Sequence, residues 1–566
     1  MGRWINLQNV ENSMSTAAQR LVPPSPAPTN PWWRGAAIYQ IYPRSFLDTN
    51  GDGIGDLPGI LAKLDYVATL GVDAIWVSPF FKSPMADFGY DIADYCAVDP
   101  IFGTLEDFDR LVAKAHALGL KVIIDQVLSH SSDQHAWFQE SRQDRTNPKA
   151  DWYVWADARA DGTPPNNWLS IFGGVAWQWE PRRGQYYLHN FLASQPDLNF
   201  HNPDVQRASL DNLRFWLDRG VDGLRLDAIN FCFHDALLRD NPPRGKDGRK
   251  PSGFKAENPY GFQWHSRNNT QPEMLPFLED IRRLLDGYTD VVALGEISSD
   301  DSTATVAEYT QPGRLHMAYS FELLSNDGSP THIRTTVETL RQRAPQSWPC
   351  WTISNHDVER VVSRWGRGES PPHMATQLSA LICSLRGSVC VFQGEELGLA
   401  EADLPYESLR DPYGIAFWPA FKGRDGCRTP MPWDSNAGGG FSNAEPWLPL
   451  PHQHLALSVA AQERDAASSL HGFRRLLEWR RQNELLLGGD IEFLAATESV
   501  LVFKRFSADA ALLAAFNLSA QAASVSLPGI DVGRAISGHG LPEGSFASAT
   551  VSLPGHGVAF FQLAAH

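Results

Sequence analysis

The stretch 104-TLEDFDRLVAKAHALGLKVIIDQV-127 contains the unit from which the fold of this 566-residue chain is built. Thr104 and Asp107 are spaced as a capping box, and apolar residues then recur along one helix face. These apolar residues are Phe108, Leu111, Val112, Ala115 and Leu118. The apolar run at residues 122–127 follows, as in a strand covered on both faces. The stretch therefore predicts an amphipathic helix that leads into a buried strand.

The same alternation of strand-like runs and amphipathic segments continues along residues 32–127 and 204–487. Eight runs have strand character: residues 37–42, 74–78, 122–127, 223–228, 291–297, 317–321, 350–354 and 389–392. Eight strand-then-helix units favour a closed parallel sheet. We therefore predict an α/β fold, a (β/α)8 TIM barrel built from residues 32–127 and 204–487.

Three segments depart from this alternation. Residues 128–203 are rich in Trp, Tyr, Gly and Pro and too long for a simple loop, which predicts an inserted domain after the third strand. Residues 488–566 contain short alternating runs between Gly, Pro and Ser, which predict a C-terminal all-β domain, a β-sandwich. Residues 1–31 are polar and Pro-rich, and we expect a flexible lead-in there.

Composition narrows the classes of function. The chain has 48 Lys and Arg against 65 Asp and Glu, a formal net charge of −17 at pH 7. This charge repels phosphate backbones and anionic lipid, so we expect a small-molecule substrate and neither a nucleic-acid nor a membrane partner. No apolar run reaches about 18 residues, no secretory signal is visible, and the six cysteines form no CxxC pair. We predict a cytoplasmic protein with reduced thiols, either a monomer or a homodimer.

Charged residues stand at the carboxyl ends of the predicted strands, where a barrel places its active site. Arg225 and Asp227 are two positions apart and point to one side of the fourth strand, so we expect the guanidinium to depress the pKa of Asp227. Glu296 ends the fifth strand among apolar residues, which favours its protonated form. Two such carboxyls about 5–5.5 Å apart characterise a retaining glycosidase. Taken alone, the Arg225–Asp227 pair is equally compatible with a structural ion pair.

These segments together resemble the α-amylase superfamily, glycoside hydrolase family 13. Its conserved regions are similar to DQVLSH (125–130), GLRLDAIN (223–230), LGEIS (294–298) and ISNHD (353–357). The run QPDLN (195–199) resembles a motif of the α-glucosidase and oligo-1,6-glucosidase branch, as do IYQIYPRSF (38–46), FGYDI (88–92) and GRDGCRTPMPW (423–433). The resemblance covers most of residues 32–566.

The resemblance implies a role for individual residues. Asp227 matches the nucleophile, Glu296 the acid/base and Asp357 the carboxylate that stabilises the transition state. Residues that match the terminal-glucose subsite are Asp87, Tyr90, His130, Phe172, Arg225, Ala228, His356 and Arg424. Within this set, Asp87 and Arg424 are expected to hold the far hydroxyls of a terminal glucose, which closes the pocket and favours exo action.

A second motif, 48-DTNGDGIGD-56, opens like the cation-binding loop of an EF-hand, with alternating oxygen ligands. Its twelfth position is Gly59 rather than Glu, and a strand precedes it, so it is not an EF-hand. The resembling branch binds Ca²⁺ or Mg²⁺ in a similar loop after its first strand. We expect a structural cation on Asp48, Asn50, Asp52, Ile54 and Asp56, with a solvated turn as the alternative, and no organic cofactor.

The resemblance thus implies a retaining exo-α-glucosidase that hydrolyses terminal α-1,4-linked glucose and also transfers glucose to acceptors. Alternatives within the superfamily are an oligo-1,6-glucosidase, a sucrose-active enzyme and a trehalose-6-phosphate hydrolase. Non-catalytic relatives that act as transporter heavy chains have a membrane span and lack the catalytic carboxylates. This chain has no predicted membrane span and retains those carboxylates. In the branch, Val directly after the nucleophile accompanies α-1,6 preference, so Ala228 favours α-1,4.

Overall fold

The computed structural model describes residues 31–245, 258–366 and 372–564, so the predicted lead-in lies outside the described residues apart from Pro31. Eight parallel strands form one sheet: β1 Ala37–Ile41, β2 Ala74–Val77, β3 Lys121–Val127, β4 Gly223–Asp227, β5 Val292–Ile297, β6 Met317–Ser320, β7 Cys350–Thr352 and β8 Ser388–Phe392. Their order in the sheet is β6-β5-β4-β3-β2-β1-β8-β7. A bridge between Ala318 and Pro349 joins the two edges of the sheet and nearly closes the barrel. The predicted barrel is confirmed.

An outer helix follows each strand. These helices are α1 Leu57–Thr69, α2 Leu105–Ala117, α3 Pro203–Leu217, α4 Met274–Leu285, α5 Ser302–Tyr309, α6 Pro330–Arg343, α7 Pro372–Ser384 and α8 Ser469–Arg481. Helix α2 begins as its sequence predicts, because Thr104 and Asp107 form a complete capping box. Its buried residues include Phe108, Leu111 and Val112, which pack in the core shared by helices and strands.

The barrel interior is filled by side chains from alternate strand positions, as the pleat requires. Its apolar floor includes Ile38, Trp76, Ile123, Leu294, Met317 and Tyr319. Arg225 and Asp227 point into this interior above the floor, while Leu224 and Leu226 pack outward in the core shared with the helices. The floor therefore supports a polar layer at the carboxyl end of the sheet.

Smaller elements surround this mouth of the barrel. Residues 128–203 contain helix Ala136–Ser141 and a three-stranded sheet of Trp155–Ala156, Gln185–Leu188 and Trp177–Glu180. After β8, residues 394–451 form an irregular excursion with the short helices Tyr406–Ser408, Pro412–Phe417 and Asp425–Cys427. Both segments contribute side chains to the site described below.

The C-terminal all-β domain consists of two antiparallel sheets. One has five strands in the order Asp490–Ala496, Val500–Phe506, Ala511–Asn517, Val558–Leu563 and Val532–Ala535. The other has three strands in the order Ala523–Ser526, Thr550–Leu553 and Ser545–Ala547. Residues from both sheets pack in one core that includes Val502, Leu513, Val551 and Phe561.

Candidate active site

The carboxyl ends of four strands deliver the central charged groups of the site. The parallel register places Asp125 of β3 beside Arg225 of β4. Glu296 of β5 follows, and Asp357 lies in the turn after β7. A Cβ at Gly295, directly before Glu296, would come within 2.6 Å of Cδ1 of Leu315, so a larger residue here would require that side chain to move. The barrel thus brings together residues that are distant in the sequence.

Arg225 organises three carboxylates. Its Nη1 donates to Asp125 Oδ1 at 2.7 Å and to Asp227 Oδ1 at 2.6 Å. Its Nη2 forms an ion pair with Glu296 Oε1 at 2.7 Å. The guanidinium carbon lies 4.8 Å from the centre of the Trp76 ring, which supports it from below. One fully buried cation therefore holds both predicted catalytic carboxylates in a shared geometry.

Burial dominates the protonation of this group. It raises the pKa of Asp227 to about 7 although Arg225 acts in the opposite direction. It likewise raises the pKa of Glu296 to about 7, again against Arg225. Arg225 does lower the pKa of Asp227, as expected, but burial outweighs this effect, so the net pKa is raised rather than depressed. The charge of Asp227 also raises the pKa of Glu296, so the protonation of the two carboxyls is linked and one of them holds a proton in the intermediate state.

Asp357 has a different environment. Burial raises its pKa, but the charges around it outweigh burial and lower the net pKa below the usual range. Oδ1 accepts from Arg424 Nη1 at 3.1 Å and from Arg428 Nη2 at 3.0 Å. His356 is buried and its pKa is lowered well below the usual range, so its ring is neutral. The two arginines therefore keep Asp357 ionised.

Neutral side chains supply donors beside the carboxylates. Nε2 of His356 lies 2.6 Å from the Tyr90 hydroxyl, and the two rings stack with planes 3° apart. Tyr90 also donates to Asp125 Oδ2 at 3.0 Å. Burial lowers the pKa of His130 to about 4, and its Nε2 lies 3.0 Å from the carbonyl oxygen of Tyr90. The stacking partner of Tyr90 within the protein is thus His356.

A charged clamp of Asp87 and Arg424 lines part of the pocket. Arg424 Nη2 donates to Asp87 Oδ1 at 2.8 Å. The Arg424 guanidinium is fixed from behind by Asp411 and lies 5.1 Å above the Phe172 ring. Gln195 Nε2 donates to the other oxygen of Asp87 at 3.2 Å. Asp87 and Arg424 are therefore in direct contact, and their binding of sugar hydroxyls stays a prediction.

These groups line a cavity of roughly 120 Å³. Its lining includes all three predicted catalytic residues and every predicted substrate residue except Arg225, which lies beneath it. Seven further lining residues were not predicted from the sequence: Ile171, Phe191, Gln195, Phe231, Ser298, Phe321 and Tyr413. Gln195 belongs to a motif that was recognised. Tyr413 comes from the irregular excursion after β8, where no periodicity in the sequence indicates which way a side chain points. Asp125, Arg428 and Tyr319 were also missed as supports of the site.

The predicted cation loop is a series of tight turns. Asp48 Oδ1 accepts from the backbone N–H groups of Asn50 at 3.0 Å and Gly51 at 2.7 Å. Asn50 and Asp52 each accept from the N–H two residues ahead. Asp56 caps α1, where its Oδ1 accepts from the N–H of Gly59 at 2.6 Å.

The donors of this loop are hard oxygens, which suit Ca²⁺ or Mg²⁺. Across the described ranges, however, no three His, Cys, Asp or Glu side chains are gathered as a metal cluster. The predicted set combines acids with an amide and a backbone carbonyl, so the cation stays a prediction.

The family description "Alpha amylase, catalytic domain" matches residues 40–489, and the chain belongs to this family of glycoside hydrolases. It is 55% identical to the probable alpha-glucosidase of Rhizobium meliloti (strain 1021), over 95% of this chain and 98% of that protein. It is 39% identical to the oligo-1,6-glucosidase of Heyndrickxia coagulans, over 88% of this chain and 94% of that protein.

The crystal structure of an alpha-glucosyl transfer enzyme, XgtA, superposes with a TM-score of 0.93 at 64% identity, covering 94% of this chain and all of that one. Trehalulose synthase MutB from Pseudomonas mesoacidophila MX-45 superposes with a TM-score of 0.85 at 31% identity, over 95% of this chain. In the part of the chain that the structure describes, no helix has the length and apolar character needed to span a bilayer.

Proposed function

We propose that this protein is a retaining exo-α-glucosidase that cleaves terminal α-1,4-linked glucose from short α-glucosides and transfers part of it to acceptor hydroxyls. The observation that carries the proposal is the bridging of Asp227 and Glu296 by Arg225 beside a small cavity that both carboxyls line. The 55% identical relative is named a probable alpha-glucosidase, which supports the same activity.

The first step uses the pair in its singly protonated state, with Asp227 ionised and Glu296 protonated. Asp227 attacks the anomeric carbon, the bond from that carbon to the glycosidic oxygen breaks, and Glu296 gives its proton to the leaving oxygen. Asp357 stays ionised beside the sugar, where its charge stabilises the positive character of the transition state. A glucosyl ester of Asp227 and a free aglycone result.

The second step reverses these roles. Glu296, now ionised, takes a proton from water or from an acceptor hydroxyl, whose oxygen replaces Asp227 at the anomeric carbon. Water gives hydrolysis, and another hydroxyl gives transfer. Transfer is supported by the 64% identity to an enzyme described as an alpha-glucosyl transfer enzyme.

The small size of the cavity supports exo action. Its volume of roughly 120 Å³ suits one sugar ring rather than a chain, and the Asp87–Arg424 clamp is expected to hold the far hydroxyls of that ring. Within the described lining, Arg424 is engaged by three carboxylates, those of Asp87, Asp357 and Asp411. These carboxylates balance the charge of Arg424, so the clamp suits an uncharged terminal glucose.

Glucose release from a panel of disaccharides tests the proposal. Maltose is expected to be cleaved faster than isomaltose, sucrose, trehalose and trehalose 6-phosphate. Asp227→Asn is expected to lose more than a thousandfold in kcat on every substrate, because no covalent intermediate can form. Residual activity above about a thousandth would mean that the nucleophile is misassigned.

We further propose that Asp48, Asn50, Asp52, the Ile54 carbonyl and Asp56 hold a structural Ca²⁺ or Mg²⁺. The consecutive turns of the loop support this assignment. We also propose that the protein is cytoplasmic. This location is supported by the six cysteines, all of which lie in described residues and are unpaired.

A further inference from the structure

The phenol of Tyr319 lies between the two groups on which acid catalysis depends. Tyr319 on β6 stands directly opposite Glu296 on β5 in the parallel register, and it is 2% exposed. Its oxygen lies 2.8 Å from Arg225 Nη2 and 3.2 Å from Arg225 Nε. The same hydroxyl lies 3.1 Å from Glu296 Oε1.

The direction of these hydrogen bonds follows from the chemistry of the partners. A guanidinium can only donate, so the Tyr319 oxygen accepts from Arg225 and its own proton is left for Glu296. Burial raises the pKa of Tyr319 well above its ordinary value, although Arg225 acts in the opposite direction. The phenol therefore keeps its proton, and remains a donor, throughout the neutral pH range.

The two oxygens of Glu296 consequently have different surroundings. Oε1 accepts from Tyr319 and forms the 2.7 Å ion pair with Arg225. A proton on Oε1 would be directed at groups that themselves donate protons. Oε2 accepts from the backbone N–H of Ala228 at 3.1 Å, which leaves a second lone pair to carry a proton.

We propose that Tyr319 is a positioning residue whose hydroxyl, together with Arg225, occupies Oε1 of Glu296 and thereby assigns the transferable proton to Oε2. The inference rests on the proposed function. In the first step the Oε2–H bond breaks as an O–H bond forms on the leaving oxygen, which keeps the electron pair of its broken bond to the sugar. In the second step a proton returns from the acceptor to Oε2. Tyr319 exchanges no atom and stabilises the anion formed between the steps.

Several titratable or charged groups face Glu296 from neighbouring strands. They are Arg225 and Asp227 on β4, Tyr319 on β6, Asp357 after β7 and, behind Arg225, Asp125 on β3. Tyr319 differs from the others because it is uncharged. Removal of its hydroxyl leaves the formal charge of the site unchanged. The resulting shift in the pKa of Glu296 therefore reports the loss of the hydrogen bond itself.

The test is Tyr319→Phe, which keeps the ring and removes the donor. The apparent pKa of the basic limb in the pH profile of kcat/KM for maltose is expected to rise by about one unit, because ionised Glu296 loses a donated hydrogen bond. The kcat for maltose is expected to fall about tenfold more than that for p-nitrophenyl α-glucoside, whose leaving group needs little protonation. An unshifted limb with equal losses on the two substrates would overturn the inference.

Tyr309→Phe is the matched control. Tyr309 on α5 is 1% exposed, and its hydroxyl has no hydrogen-bond partner among the described residues. This variant removes an equally buried phenol oxygen and is expected to leave the pH profile and the ratio of the two substrates unchanged. A control variant that shifts the limb as far as Tyr319→Phe does would show a general packing effect and overturn the assignment.

Replacement of Tyr319 by 3-fluorotyrosine covers the case in which Tyr319→Phe does not fold. The fluorinated phenol is a stronger donor, so the basic limb is expected to move to lower pH. A limb that stays in place contradicts the inference. Failure of the proposed function is distinguishable from either result, because wild-type protein would then release no glucose from any α-glucoside.

Discussion

Ala228 donates its backbone N–H to Oε2 of Glu296 at 3.1 Å, although it stands directly after Asp227 on the neighbouring strand. The contact requires Ala228 to adopt φ 40° and ψ 43°, a left-handed conformation that residues with a Cβ rarely occupy. The turn immediately after the nucleophile is therefore strained, and it orients the acid/base. A side chain at this position lies at the floor of the cavity.

Enlargement of Ala228 is expected to change linkage preference. Ala228→Val adds two methyl groups where an α-1,4-linked acceptor ring meets the cleaved bond, whereas an α-1,6 linkage has an extra rotatable bond that lets its ring avoid them. The ratio of kcat/KM for maltose to that for isomaltose is expected to fall about tenfold. Valine is also β-branched and disfavours positive φ, so the melting temperature should fall as well.

Ala228→Gly separates these two effects. Glycine accepts φ 40° without strain, so this variant should keep both the melting temperature and the preference for maltose. A wild-type preference for isomaltose, or an unchanged ratio in Ala228→Val, would contradict the role assigned to this position. Neither result would affect the assignment of the nucleophile.

Activity is expected to fall as pH rises through about 7. Glu296 must be protonated to act as the acid, and burial raises its pKa from near 4.5 to about 7. Above that pH the free enzyme loses the proton, so kcat/KM for maltose decreases. Glu296→Gln should lose activity on maltose but release p-nitrophenol from its aryl glucoside in a burst, with no basic limb in the burst rate. Retention of the limb in this variant would assign it to another group.

Chelation is expected to lower the stability of the fold rather than the rate of chemistry. Removal of a cation from the loop at residues 48–56 should reduce the melting temperature by several degrees, with activity lost only on unfolding. Asp52→Ala removes a proposed ligand of the cation and should abolish this sensitivity. Asp52 is exposed, so its side chain is not part of the core. Asp65→Ala, an exposed acid on α1, should retain it. Equal melting curves with and without chelator, and no metal by elemental analysis, would refute the cation.

Arg505 is expected to be essential for the junction between the barrel and the C-terminal sandwich. It is fully buried and donates to the carbonyl oxygens of Ser384 at 2.7 Å, Leu385 at 2.8 Å and Gly489 at 2.7 Å. Arg505→Met leaves these carbonyls without a partner, which should cost about 3 kcal/mol or more in the free energy of unfolding.

Lys504→Met is the control for that measurement. Lys504 is adjacent and half-buried, and it pairs with the exposed Glu492 at 2.7 Å. Its loss should change the free energy of unfolding by less than about 1 kcal/mol. Chemical denaturation of both variants distinguishes a specific loss of the carbonyl contacts from a general effect of removing a positive charge.

The barrel and its central carboxylates could be predicted from the sequence because both depend on local pattern. Apolar runs that alternate with helical periodicity specify a parallel sheet with outer helices. Since the carboxyl ends of such strands meet at one mouth, Asp227, Glu296 and Asp357 had to be neighbours. The pairing of Asp87 with Arg424 was implied by resemblance, and it has no local signal of its own.

What only the tertiary structure decided is how these groups are shared. The pKa of Asp227 is raised because burial outweighs Arg225, whose guanidinium also serves Asp125 and Glu296, and no spacing within β4 reveals that burial or those competitors. Tyr319 acquires its place because β6 pairs with β5 in a register that sets it opposite Glu296. The charges and the positions of the protons depend on distances between side chains of different strands. These distances are fixed only when the chain has closed into a barrel, so they cannot be read from the linear sequence.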